Sequence, residues 1–173
     1  MRKAILLASL LATSASADVF IDIGASSSKI ESQIANRVGP ADRTETSVHF
    51  GLGARRRVAE RHDFSVRVEL DRLDSDLLLA FRALDYRFHV SERFAVSGFL
   101  GAARLDLGTP AYGYYLGGGG QWKNVMPGWD LNLDLRIGDK VARDNLLPTD
   151  PQGGSPDNFH DISGVSLYLS YSF

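Results

Sequence analysis

The sequence predicts an all-β fold: an eight-stranded antiparallel up-and-down transmembrane β-barrel, preceded by a cleaved signal peptide. Three observations lead there. The chain ends in a strongly alternating strand that finishes on Phe173. Eight stretches of similar length alternate apolar with polar residues. The first 17 residues have the make-up of a secretory leader.

In the closing stretch, Val165, Leu167, Leu169, Tyr171 and Phe173 share one parity, while Ser166, Ser170 and Ser172 share the other with Tyr168. Successive side chains of a strand point to opposite faces, so the two sets lie on opposite sides. In a soluble sheet an apolar face running to a terminal aromatic leaves an aggregation-prone edge. Closure removes that edge, and in lipid closure is obligatory because no water satisfies free backbone groups. At the other end, Arg2 and Lys3 precede the apolar residues 4–11, and Ala15-Ser16-Ala17 supplies a small-x-small cleavage pattern. That predicts a leader over 1–17, cut before Asp18, and a barrel domain over 18–173. The apolar run is far shorter than the roughly 20 residues a membrane-anchoring helix needs.

At 173 residues the length fits one domain. Absence of cysteine excludes a disulfide framework and a thiolate metal site. Of the 19 basic residues, Arg2 and Lys3 fall in the leader, which leaves 17 against 21 acidic and a net charge of −4. That balance is wrong for a nucleic-acid partner. A mean hydropathy of −0.11 suits a small membrane barrel, whose apolar outer face is diluted by a polar interior and wet loops.

The first strand, residues 19–27, places Val19, Ile21, Ile23 and Ala25 on one face and Asp22, Gly24 and Ser26 on the other. Residues 30–43, with Asn36, Gly39 and Pro40, read as a long loop. The second strand, 46–55, turns Val48, Phe50, Leu52 and Ala54 outward; a charged turn over 56–63 follows. In the third, Phe64, Val66, Val68 and Leu70 alternate with Ser65, Arg67, Glu69 and Asp71, before a short connection over 72–76. The fourth, 77–88, changes parity midway, which a β-bulge near Arg82 or Ala83 reconciles; without it Arg82 faces lipid. After a turn at 89–93 comes a fifth strand, 94–104, so rich in small residues that its register is weakly specified. A third outer loop is expected over 105–111. The sixth strand, 112–123, contains Gly117 to Gly120, and a turn with Pro127 follows. The seventh sets Trp129, Leu131, Leu133, Leu135 and Ile137 against Asp130, Asn132, Asp134 and Arg136. Residues 142–160 form the longest loop, and the terminal strand is the eighth.

Strands of this length cross a bilayer at a tilt. Compact charged connections follow the second, fourth and sixth strands; those after the odd strands are mostly longer. An even strand count puts both mature termini on one side, the periplasmic one. Phe64, Phe88, Phe94, Trp122, Trp129 and Phe173 gather there as an interfacial girdle. A soluble lipocalin-like barrel has the same alternation reversed; the terminal Phe, the girdle and the small residues of strands five and six favour the membrane.

With apolar residues outward, Asp22, Arg55, Arg67, Glu69, Asp71, Asp85, Arg87, Asp130, Asp134 and Arg136 point inward. An eight-stranded barrel has room only for side chains, and buried charges persist only when paired. The expectation is an interior ion network and no general diffusion pore.

No motif supplies an active site. His160-Asp161-Ile162-Ser163 has the wrong spacing for neighbours on one strand face, Ser47 and His49 share a parity but face inward, and His62 and His89 fall in turns without a partner. The Gly117–Gly120 run lacks the helix and Lys-Ser/Thr of a phosphate loop and reads as curvature or close backbone approach. The acidic residues Asp139, Asp144, Asp150, Asp157 and Asp161 match no compact Ca²⁺ loop, so neither metal nor cofactor is expected. Lys29, Arg43, Arg72, Arg104, Lys140 and Arg143 fall near outer strand ends, where lipopolysaccharide phosphates or plain water would meet them.

The alternating terminal strand ending in Phe173, with the leader, resembles the signal strand and targeting of small bacterial outer-membrane barrels of the OmpA-, OmpX- and OmpW-like kind, often grouped as porin-family proteins. The resemblance implies an outer-membrane location in a Gram-negative-type envelope, and a non-enzymatic role in membrane integrity, adhesion or surface contact. It also implies contact with outer-membrane lipid and lipopolysaccharide, and recognition by the barrel assembly machinery through Gly164, Leu167, Leu169, Tyr171 and Phe173. A monomer is expected. The alternatives are a narrow conduit for small apolar molecules, which an apolar lumen at the outer end would favour, and a lipid A-modifying enzyme.

Overall fold

The computed structural model describes residues 17–34, 41–73, 76–107, 109–138, 142–144 and 158–173. The predicted leader, apart from Ala17, lies outside them, as do Lys140 and most of the longest loop. Nine strand segments form the wall: β1 (Asp18–Ile34), β2 (Ala41–Ala59), β3 (His62–Leu73), β4 (Asp76–His89), β5 (Phe94–Leu107), β6 (Thr109–Met126), β7 (Trp129–Ile137), β8 (Ala142–Asp144) and β9 (Asn158–Ser172). Each pairs antiparallel with its neighbour, and β1 pairs with β9, which closes the sheet. The short β8 lies between β6 and β9, as β7 does, and continues its stave. The result is an eight-staved barrel, with no helix among the described residues.

Alternation sets the faces. On β7 Leu133 and Leu135 are 38% and 58% exposed, while Asp134 and Arg136, which alternate with them, are 3% and 6%. The apolar set therefore faces out and the ionic set in, the reverse of a soluble barrel. Strand β4 switches parity as its sequence requires. Ala83 and Leu84 are both outward, pairing with β5 shifts between Arg82 and Leu84, and the bulge turns Arg82, Asp85 and Arg87 all inward. At the end carrying the compact turns, aromatic pairs gird the outer surface: Phe64 with Tyr86, Phe94 with Trp122, and Trp129 with Tyr171, each at 5.2 Å between ring centroids.

The strands outrun their predicted ends. β2 has 19 residues and β1 17, well beyond the 9–11 that cross a bilayer. Residues 30–34 and 41–43, expected in the first loop, are strand. The expected loop over 105–111 is mostly strand as well, with Leu107 paired to Thr109. Beyond the membrane band these staves have no lipid to face, so the sequence signal that marks their core neighbours is missing there.

In that extension the polarity inverts. Lys29 and Glu31 point outward as an ion pair, with Asp42 3.7 Å from the Lys29 ammonium, and Arg104 pairs outward with Asp106 at 2.9 Å. Inside, Ile30, Leu73, Leu78, Leu105, Ala111 and Ile162 pack at 0–2% exposure, above Phe99, Ala103 and Tyr115. The barrel is thus lipid-adapted over one length and built like a water-soluble barrel over the next.

Candidate functional site

The interior of the lipid-adapted length is where polar chemistry concentrates. Strand β3 supplies Arg67, Glu69 and Asp71 on one parity; β1 supplies Asp22, β4 Arg82, Asp85 and Arg87, and β7 Asp134 and Arg136. Arg67 lies at the centre, 1% exposed. It donates to Asp22 at 2.9 Å, to the Tyr168 hydroxyl at 2.6 Å and to Asp85. The Tyr168 hydroxyl donates onward to Asp134 at 2.7 Å. Arg82 stands 2.7 Å from both Glu69 and Asp134, with its guanidinium 3.5 Å over the Phe99 ring. Towards the outer extension a second cluster forms: Asp71 accepts from Arg136 at 3.1 Å and from Ser26 at 2.9 Å, and sits 2.7 Å from His49 Nδ1. Arg87 is the looser member, 3.8 Å from Asp85.

The glycines of β6 make this packing possible. A Cβ on Gly119 would lie 2.1 Å from Asp134 Oδ1, and one on Gly117 2.4 Å from the Phe99 ring. Both face inward, so the run that resembles a phosphate loop is the hollow into which the network and its aromatic floor fit.

Asp130, expected in the network, stands apart from it. It is only half-buried and accepts from the Gln121 amide at 3.0 Å and the Asn124 N–H at 2.9 Å. It lies next to the β6–β7 turn, where it ties the turn that Asn124 (φ 52°) and Gly128 (φ 79°) shape. The expectation that His62 and His89 lack partners is also corrected. His62 Nδ1 lies 2.7 Å from the Tyr86 hydroxyl, and His89 Nε2 2.6 Å from Asp63, itself held by Arg57 at 3.0 Å. Both are strand residues, and the pairing runs across staves that sequence spacing does not reveal. The charged lumen, expected along the whole interior, covers only its membrane-level part; the outer part is the apolar cluster.

Sequence reasoning placed Tyr168 on the polar parity without a role and passed over two other interior aromatics, Phe20 and Tyr115. Phe20, Tyr115 and Tyr168 point inward at 0–4% exposure. Tyr115 donates to Glu69 at 3.2 Å, and Phe20 lies 4.8 Å beneath the Arg55 guanidinium. Their only signal was an aromatic on the polar parity, as Tyr168 is among the serines. On the terminal strand, Leu167 and Phe173 are outward at 52% and 74%, with Leu169 and Tyr171 half-buried beside neighbouring staves. The Phe173 N–H donates to the Val19 carbonyl at 3.0 Å, which stitches the last residue to the first strand. A Cβ on Gly164 would come 3.0 Å from Ser27 O, so β9 crosses β1 closely there.

A catalytic assembly does not form from the candidates. His160 turns inward and sits 2.9 Å from Ser32 Oγ, while Ser163 is exposed on the opposite parity. Ser47 bonds Ser26 at 2.6 Å, and His49 is wholly buried. Among the described residues no cluster of His, Asp and Glu has the arrangement of a metal site. Of the outer cations, Lys29 and Arg104 each have an acidic partner, as does Arg43, 3.2 Å from Glu45.

A closed eight-staved barrel with a belt of outward apolar side chains and a charged interior is the architecture of small outer-membrane β-barrel proteins. No family model matches the chain, and no curated protein matches it in sequence. Solved structures do. The crystal structure of Ail, the attachment invasion locus protein of Yersinia pestis, aligns at TM-score 0.54 and 15% identity over 91% of this chain and 99% of that one. The backbone structure of the same protein in a phospholipid bilayer nanodisc gives 0.50 and 14% over 91% and 99%. Neisserial surface protein A gives 0.49 and 13% over 90% and 97%. At such identities the likeness is one of fold.

Proposed function

We propose that this chain is an integral outer-membrane protein of a Gram-negative-type envelope. It acts without catalysis, as a structural or surface-interaction barrel, with both mature termini in the periplasm. The observation that carries this reading is the polarity inversion. Apolar residues face out over a bilayer-sized length, and beyond it charged residues face out around an apolar plug, so the barrel wall continues past the membrane as a stiff extracellular rim. Five arginines and five carboxylates fill the membrane-level interior, and the apolar cluster stops the outer end. Lipid and lipopolysaccharide are its surroundings, with the outward Arg72 facing headgroup phosphates. The assembly machinery reads the β9 signal strand. Deleting Phe173 is expected to cut outer-membrane assembly sharply in a fractionation assay, whereas Ser172→Ala leaves it normal; equal assembly of both removes the signal-strand reading. The refolded protein in a planar bilayer is expected to stay non-conducting, and a steady ion current would sink the sealed-interior reading.

A second reading is favoured by one observation, the apolar cluster of Ile30, Leu73, Leu78, Leu105 and Ile162 at the outer end. An apolar lumen there suits a small apolar solute. These residues are packed to near-zero exposure, so passage requires them to part. Uptake of a small alkane-like reporter into proteoliposomes, raised by Leu105→Ala, would support the conduit over the sealed barrel.

A further inference from the structure

Towards the turn end of the interior the guanidinium groups are less closely paired than at its centre. Arg67, Arg82 and Arg136 each have a carboxylate oxygen within 3.1 Å. Arg55 and Arg87, 9% and 2% exposed, do not share that provision. Each keeps Nε and one terminal guanidinium nitrogen buried with no hydrogen-bond partner, as Arg82 does, but without the carboxylate oxygen that Arg82 has at 2.7 Å. Arg87 reaches Asp85 only at 3.8 Å; Arg67 holds Oδ2 of that carboxylate, and its Oδ1 is buried without a hydrogen-bond partner. The strongest charges acting on Arg55 are the like charges of Arg87 and Arg67, ahead of Asp130 and Asp85. Buried cations with idle donors, set against one another, call for an anion.

One inward step further along β2 and β4 lie Arg57 and His89, and these line a cavity of about 600 Å³ at the mouth with Arg61, Lys123, Glu60 and Glu92. His89 gives its Nε2 to Asp63 at 2.6 Å, while its Nδ1 is buried without a partner. With Nε2–H donating to the carboxylate, Nδ1 is left as an acceptor. The mouth therefore offers guanidinium and ammonium donors together with one acceptor, a set that matches a singly protonated phosphate, whose oxygens accept and whose hydroxyl donates.

We propose that the turn end of the interior is an oxyanion site for the phosphate or phosphate-monoester group of a small solute, with Arg55 and Arg87 as its deep guanidinium pair. The site rests on interior geometry alone; its supply from the periplasm rests on the orientation proposed above. The test uses the full mature chain refolded in zwitterionic micelles at low salt, titrated with inorganic phosphate at pH 7 and followed by NMR of the arginine Nε–H groups. Saturable shifts at Arg55 and Arg87 are expected. Arg55→Gln and Arg87→Gln should each weaken binding roughly tenfold, the size of one lost charge-assisted pair, and Arg104→Gln at the far end should stay within about twofold. If the Gln variants do not fold, the titration of the unaltered chain decides. Absence of saturable shifts overturns the site, as do equal shifts from chloride at matched ionic strength. Shifts that need phosphatidylglycerol in the micelle and ignore free phosphate assign the arginines to a lipid headgroup and overturn it too.

Discussion

Arg82 shows what a single side chain holds in this interior. It neutralises Glu69 and Asp134 and lies flat on Phe99, so its removal strands two buried carboxylates. Breaking a buried pair from one side typically costs about 3–5 kcal/mol. Arg82→Met is therefore expected to lower the unfolding free energy by about that amount in urea titrations of the micelle-bound protein. Arg104→Gln, which loses only a half-exposed pair with Asp106, should stay within about 1 kcal/mol. Equal costs would show that burial is not what makes the network matter. At the turn-end mouth, on the solvent side of Phe64 and Phe88, Asp63 and His89 set a pH response. Burial pushes the His89 imidazole below its ordinary 6.5, more than Asp63 lifts it. Burial also works to raise the Asp63 carboxyl, but hydrogen bonds from Arg57 and His89 hold it below 3.8. In both cases the unfolded chain binds protons more readily, so the stability is present above the ordinary value and is lost as pH falls through the folded one. Urea midpoints should decline as pH drops below about 6.5, with a further fall below about 3.8. In His89→Gln the upper limb should flatten and the lower persist; a midpoint that rises on acidification would contradict the assignment.

Among the elements, β4 is the one whose sequence conflicts with a regular strand, and its bulge resolves the conflict. Ala83 is the spare residue that lets Leu77, Leu79 and Phe81 face lipid on one side of it and Leu84 on the other. Deleting it forces either Arg82 or the pair Asp85 and Arg87 onto the lipid face. An arginine at mid-bilayer costs roughly 2–4 kcal/mol on that face, and the same change unpairs the interior. Loss of the compact, heat-modifiable form on gels is the expected outcome for the Ala83 deletion. Ala83→Val keeps the count and should retain that form. A deletion variant that still folds would mean that the parity switch is not enforced. Strand β6 works by absence: Gly117 and Gly119 leave the space that Phe99 and Asp134 occupy, so its small residues serve the opposite wall.

At the scale of the whole molecule, the barrel has three levels: a cationic mouth, a charge-filled membrane length and an apolar-cored rim. Its orientation is open to a direct test, since the chain has no cysteine of its own. With Lys29→Cys, a membrane-impermeant thiol reagent should label intact cells; with Glu60→Cys it should label only after the outer membrane is permeabilised. The reverse pattern would invert the proposed topology. Charges balance each other where lipid surrounds the wall, and apolar packing takes over where water does.

Alternation over eight stretches, cleanest in β3, β7 and β9, was enough to derive the strands and their count, and its break in β4 the need for a bulge near Arg82; the terminal Phe173, the aromatic girdle and the small residues of β5 and β6 then chose which face meets lipid. Alternation could not give the length of the staves. Past the membrane band Ile30, Leu73 and Leu105 stand among charged residues in stretches that read as loop. Only closure of the sheet brings them together as a core. Nor could it pair the charges. Which carboxylate meets Arg67, why Asp130 serves a turn, and why Arg55 and Arg87 are left with idle donors depend on stave register and on contacts across the barrel, distances that exist only once the sheet has curled back on itself.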